Sequence, residues 1–216
     1  MLLSISTNHQ PATDLGFLLV KHPEHVHEVA LPFGSARVFY PEASEARCTA
    51  VLMLSIDPVG LVRGRGEAEG SLAQYVNDRP YVASSFLSVA MKRVFSTAMA
   101  GTSKGRQDVA DMAIPLEAEI PVIRCRGGEA IAREWFEPLG YAVEVERLPM
   151  DPRFPQDGDS PYVRLRLSGV LRLRELLTHL YVLLPALDGD KHYFVGQDEI
   201  DKLLEKGGAW LSAHPQ

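Results

Sequence analysis

Three histidines stand close together in Lys21-His22-Pro23-Glu24-His25-Val26-His27-Glu28. On an extended segment His25 and His27 face one side and Glu28 the other, a set able to hold zinc weakly. The same residues make an ordinary polar turn between a helix and a strand, and no fourth ligand follows at a recurrent spacing, which favours the turn. Cys125 lies between Arg124 and Arg126, and two guanidinium groups would depress the pKa of an exposed thiol. Neighbours on a strand point to opposite faces, however, so both arginines are expected to face away from a buried, inert sulfur. Asp188-Gly189-Asp190-Lys191-His192-Tyr193 through Glu199 imitates a calcium loop at its first, third and twelfth positions. Tyr193 stands where the sharp turn needs glycine and His192 where an oxygen ligand is needed, so a tight acidic turn is the better description.

Other chemistries lack their frames. Gly64-Arg65-Gly66 has no strand before it and no helix after it, as dinucleotide or S-adenosylmethionine binding requires. Gly101-Thr102-Ser103-Lys104-Gly105 has a lysine at the wrong spacing for a phosphate loop. Ser84-Ser85 lacks the glycines of a nucleophile elbow. Arg164, Arg166, Arg172 and Arg174 could touch RNA, but acidic residues outnumber basic ones by 28 to 22 and the net charge is −6. A sequence-independent nucleic-acid binder draws its affinity from the opposite balance. No catalytic or metal-binding set is expected. The densest mixture of aromatic, polar and turn-forming residues is Gln74-Tyr75-Val76-Asn77-Asp78-Arg79-Pro80-Tyr81-Val82-Ala83-Ser84-Ser85. It reads as a helix entry capped by Asp78, with Pro80 in the first turn, or as an interface anchored by tyrosine and arginine.

The elements that would position these residues follow from periodicity. Leu2–Thr7 is a short strand; Asp14 is placed to cap a helix through Lys21, ended by Pro23. Val26–Leu31 and Ala36–Tyr40 form a hairpin around Pro32-Phe33-Gly34-Ser35, and Cys48–Ile56 is a buried strand. Val59–Ser71 reads as a loop. A long apolar helix spans about residues 81–100, with Phe86, Val89, Ala90, Val94 and Thr97 on one stripe, and must be covered nearly all round. After Pro115 a second series begins: strand Glu117–Arg126, helix Glu129–Phe136, strand Tyr141–Leu148, a proline-rich loop, strand Tyr162–Leu167, and a helix from about Leu173 to Leu184. A short amphipathic helix is expected at Gln197–Leu204. The fold class is therefore α+β, with two βα-rich lobes, residues 1–114 and 115–216, mixed or antiparallel sheets and helices packed on them. The shared order of elements leaves open an old duplication.

At 216 residues with 46% hydrophobic content, the chain can bury a substantial core. Two cysteines without nearby partners fit a reducing compartment. No apolar run is long enough to cross a bilayer, and the first residues lack the pattern of a signal peptide. A cytoplasmic location is expected.

Several uncommon segments resemble one family. They are Leu2-Leu3-Ser4-Ile5-Ser6-Thr7, Pro11-Ala12-Thr13-Asp14-Leu15-Gly16, Val38-Phe39-Tyr40-Pro41-Glu42-Ala43, Asp57-Pro58-Val59-Gly60-Leu61-Val62-Arg63-Gly64, Tyr75 through Ser85, Leu180-Tyr181-Val182-Leu183 and Asp190-Lys191-His192-Tyr193. Together they are similar to the N-terminal region of the bacterial RNA 3′-terminal ribose 2′-O-methyltransferase. That resemblance implies a ligase-activating module, which binds the ligase domain of the bacterial polynucleotide kinase-phosphatase-ligase and promotes its self-adenylylation during RNA repair. It implies RNA contact only through the complex. S-adenosylmethionine and a divalent metal are expected only in a C-terminal methyltransferase domain that this sequence lacks, so no cofactor is expected here. The expected partner contacts are two turns, Asn77, Asp78, Arg79 and Tyr81, and Asp190, Lys191, His192 and Tyr193. The rival reading is a small self-sufficient enzyme that uses the histidine trio or Cys125.

Overall fold

The structure, a computed structural model, describes residues 1–58, 83–187 and 210–215. The expected loop from Val59, both expected contact turns and the expected helix at Gln197–Leu204 lie outside these residues. Seven strands are present among them: β1 (Leu2–Thr7), β2 (His27–Leu31), β3 (Gly34–Ala43), β4 (Cys48–Ile56), β5 (Ile114–Arg124), β6 (Ala142–Pro149) and β7 (Asp159–Leu171). The helices are α1 (Asp14–Leu19), α2 (Ala83–Val94), α3 (Ser96–Met99), α4 (Gln107–Ala110), α5 (Gly128–Phe136) and α6 (Leu173–Leu187).

The strands form one sheet in the order β2-β3-β4-β1-β5-β7-β6, and each neighbouring pair is antiparallel. The α+β class is as expected. The boundary expected after residue 114 falls at the first residue of β5, and the two halves are the two wings of this one sheet. Pairing of β1 with β5, Ser4 to Glu119 through Thr7 to Leu116, joins them. Each wing places its first strand innermost and its last strand next to it, β1 then β4 and β5 then β7; β2 is the additional strand of the first wing.

Period-2 alternation decides which face is covered. Leu3 and Ile5 in β1, Ala50, Leu52 and Leu54 in β4, Leu116, Ala118 and Ile120 in β5, and Val163, Leu165 and Leu167 in β7 are all buried. The helices lie over this face, with α2 and α6 packed together and α6 reaching β5, so one core runs through both wings. Gly34 opens β3 at φ +146°, where a Cβ would stand 2.0 Å from the Ser55 carbonyl oxygen; only glycine fits this hairpin.

Three local expectations are corrected. The long apolar helix is two helices, because Phe95 leaves helical geometry at φ −113°, ψ 21°. Within the first of them Val89 falls on the side of Lys92 and Arg93 rather than on the buried stripe, and is 46% exposed. The helix expected to stop near Leu184 runs through Pro185 to Leu187. Asp14 makes no capping hydrogen bond; it is the first residue of α1, after Thr13, and is itself buried.

The inner face of α6 carries a buried histidine. The Tyr141 hydroxyl and His179 Nδ1 share a hydrogen bond at 2.8 Å, and the Trp210 ring stands edge-on to the imidazole with centroids 4.6 Å apart. Burial drives the His179 pKa down to about 4, outweighing the favourable field of Glu175. The imidazole is therefore neutral in the fold, while in the unfolded chain it binds a proton near pH 6.5. Protons then favour the unfolded state between those values, so stability falls as pH drops from 6.5 toward 4, by up to roughly 3 kcal/mol from this group. Urea titrations across that window are expected to show this slope in the native chain and a flatter one in His179→Gln, whose amide can donate to or accept from Tyr141 without titrating.

Candidate functional site

The face of the sheet opposite the helices is lined by charges at positions that the register brings side by side. Glu119 pairs across the strands with Arg166, Arg166 with Glu144, and Arg164 with Glu146. Arg164 reaches Glu119 at 3.4 Å and Glu146 at 2.6 Å, Arg166 reaches Glu119 at 3.2 Å and Glu144 at 3.9 Å, and Arg47 grips Glu117 at 2.6 Å. Ser4, Ser6 and Ser168 complete a shallow polar hollow of about 330 Å³. Each exposed pair contributes little, about 0.2–1 kcal/mol. Their larger effect is neutrality. Arg164 and Arg166, which sequence reasoning offered to RNA, are already matched by carboxylates, and Arg172 is matched by Glu175. This face is not the unbroken positive stripe on which phosphate binding depends.

The groups that could react are withdrawn. Cys48 and Cys125 are both buried and free. Burial first, then the nearby Glu42 charge, push the Cys48 thiol up to about 11. Burial also raises Cys125, whose Sγ donates to the Gly128 carbonyl at 3.1 Å. Neither is a thiolate at neutral pH, so the cysteine route of the rival enzyme reading has no exposed nucleophile. The histidine trio ties its own turn: the rings of His22 and His25 stand 5.2 Å apart, His22 Nδ1 accepts from the Glu24 amide at 3.3 Å, and His27 Nε2 donates to the His22 carbonyl at 3.0 Å. Among the described residues no group of three or more His, Cys, Asp or Glu is placed to hold a metal ion.

A different feature stands at α1, and sequence reasoning missed it. A pocket of about 540 Å³ opens beside the helix, walled by Gly16, Phe17, Val20, Lys21, Pro23 and Gly105. Phe17 is 56% exposed and Val20 41%. The wall is held from behind. Arg106 pairs with the buried Asp14 carboxylate and with Asp108, while Ser103 Oγ donates to the Phe17 carbonyl at 3.1 Å and Tyr40 to the Lys21 carbonyl at 3.0 Å. These contacts fasten the segment around Ser103 to α1 across most of the first wing's sequence. The sequence carried no clear signal for it, because α1 is apolar at every position but Asp14 and nothing in it sets Phe17 apart from its buried neighbours.

The chain matches, over residues 1–216, the family model described as the RNA repair, ligase-Pnkp-associating region of Hen1. No curated protein matches. A solved structure described as the Pnkp1/Rnl/Hen1 RNA repair complex aligns with a TM-score of 0.61 at 14% identity, covering 100% of this chain and 48% of the other. A second, described as the Pnkp1/Rnl/Hen1 complex, aligns with a TM-score of 0.59 at 14% identity and the same coverage, 100% and 48%. At that identity the likeness is one of fold, and the present chain spans about half the length of either.

The two cysteines should be silent toward a thiol-reactive disulfide reagent at pH 8 and both should react at once in guanidinium; fast labelling of the native chain would show that a thiol is open. Removing the cation beside a buried carboxylate is costly, so Arg106→Ala should lose about 2–3 kcal/mol in urea unfolding, and adding Asp14→Asn to it should recover part of that loss.

Proposed function

The chain belongs to the family of RNA repair, ligase-Pnkp-associating regions of Hen1, and from that premise we propose that it is a non-catalytic binding domain for the ligase domain of a bacterial polynucleotide kinase-phosphatase-ligase. In this reading it promotes self-adenylylation of the ligase in cytoplasmic RNA repair, and meets RNA only through the complex. S-adenosylmethionine and metal chemistry belong to a methyltransferase part of the whole protein. The observation that carries the reading is the match of the family model along the entire chain, together with an open apolar pocket among the described residues. Among the described residues no helix is long and apolar enough to cross a membrane.

Activation has a physical requirement. A binding domain shifts its partner's equilibrium only by holding one conformation more tightly than another. Exposed ion pairs that are already satisfied within the sheet supply little of that difference; desolvated apolar and aromatic anchors supply most of it. We also propose the turns Asn77-Asp78-Arg79-Tyr81 and Asp190-Lys191-His192-Tyr193 as contacts, on the strength of their residue types alone.

Labelled ATP tests the proposal. Ligase adenylylated in the presence of this chain is expected to exceed that formed without it by about tenfold, the effect of ~1.4 kcal/mol of differential binding, and Arg79→Ala should remove the gain while leaving the circular dichroism unchanged. Equal labelling with and without the chain would contradict activation, and full stimulation by Arg79→Ala would remove that turn from the contact surface.

A further inference from the structure

We propose that the pocket beside α1 seats an apolar side chain carried on an acidic segment of the ligase-domain partner; this rests on the association proposed above and adds the place and chemistry of the contact. The pocket is prepared for an anchor. A Cβ on Gly16 would stand 2.8 Å from the Pro23 ring, and one on Gly105 would stand 3.0 Å from the Phe17 ring. Bare backbone at both positions lets these rings lie close, and the hydrogen bonds behind Phe17 and Lys21 fix them. The walls thus lose little freedom when an occupant arrives, the condition under which a small apolar contact gives useful affinity.

Val20 supplies an independent observation. It holds the left-handed conformation at φ 56°, ψ 41°, the position after a helix that glycine or asparagine normally fills. A β-branched residue there costs about 1–2 kcal/mol. Core burial does not offset this, because Val20 remains 41% exposed. Besides ending α1, the conformation sets an isopropyl group beside Phe17 at the pocket wall. The turn itself closes α1, with the Val20 and Lys21 amides bonded to the Phe17 and Gly16 carbonyls; glycine would close it without strain, and what valine adds is the exposed isopropyl group.

The rim identifies the occupant. Lys21 and Lys104 stand against one carboxylate, Glu24, on a chain whose net charge is −6. A locally positive rim around an apolar floor is complementary to a hydrophobic residue flanked by Asp or Glu, and steers such a segment in. RNA fits less well. Two lysines counter about two phosphates, too few for appreciable affinity, and one side of the Phe17 ring is taken by Gly105, leaving a single half-covered platform for stacking.

Calorimetry with the ligase domain tests this, using the whole chain, Phe17→Ser and the double variant Lys21→Glu/Lys104→Glu, each checked for an unchanged melting profile. Phe17→Ser is expected to weaken binding at least tenfold at every salt concentration. The double variant is expected to weaken it about tenfold at low salt and to flatten its salt dependence. Tight binding by the native chain with equal binding by both variants would overturn the pocket and leave the association standing. Absence of binding by the native chain would overturn both. Binding of a single-stranded RNA oligonucleotide that Phe17→Ser abolishes, or a dimer in sedimentation that it dissolves, would assign the pocket to a different occupant and overturn the inference.

Discussion

The pairing of β1 with β5 is the contact on which the rest of the molecule depends. Four register pairs join two wings that are far apart in sequence, and the antiparallel register keeps the apolar positions of both on the same side. Because side chains alternate with period 2, a shift of one residue at this seam would turn Ile5 and Thr7 against Glu117 and Glu119 and send the second wing's apolar set toward water. With the seam in place, α2 and α6 close over a continuous floor. The depth of that cover explains why Cys48, Cys125 and His179 are all withdrawn from solvent and why their acid–base behaviour moves against the charged form in each case. Cys125, which sequence alone would nominate for chemistry, is part of the core, while the histidine trio stays at the surface in a turn that it ties.

The same one-sided cover fixes what the surface can do. The uncovered face receives the charged half of each strand, and strand register sets arginine opposite glutamate along β5, β7 and β6. Such a face is soluble and self-neutralised. It neither attracts a polyanion strongly nor offers a dry anchor. The distinctive combination of exposed aromatic, strained aliphatic and basic residues is gathered elsewhere, on the segment after β1. There α1 is tied to the Ser103–Arg106 stretch by the Asp14–Arg106 pair. A carboxylate buried so deeply is expensive unless paired, so the ion pair holds the helix and the rim of the pocket as one piece.

Much of this was legible in the residues. The alternation of Val163, Leu165 and Leu167 with Arg164 and Arg166 announced a half-covered strand, and the β-branched and aromatic runs located all seven strands. Cys125 is buried as expected but not for the expected reason: β5 ends at Arg124, short of the expected Arg126, and the thiol sits in the turn that leads into α5. What could not be read were contacts that join distant residues. Asp14 has the type and position of a helix cap, and only the fold shows that a guanidinium 92 positions later claims its carboxylate instead. Val20 is a residue that propensity would never place in a left-handed turn; tertiary constraint overrides that preference. The break at Phe95 has no glycine or proline to announce it, and the exposure of Val89 reflects which side of α2 the sheet and α6 leave uncovered. The turns around Arg79 and Lys191 were chosen by composition and lie outside the described residues.

Hydrogen–deuterium exchange of the chain, alone and with the ligase domain, addresses the central claim that this fold acts by gripping another polypeptide at a prepared apolar site. Slowed exchange should concentrate in Leu18 through Glu24 and in Lys104 through Arg106, with the amides of β5 and β7 unaltered. Exchange that is identical in both samples, or protection confined to the charged face of the sheet, would contradict it.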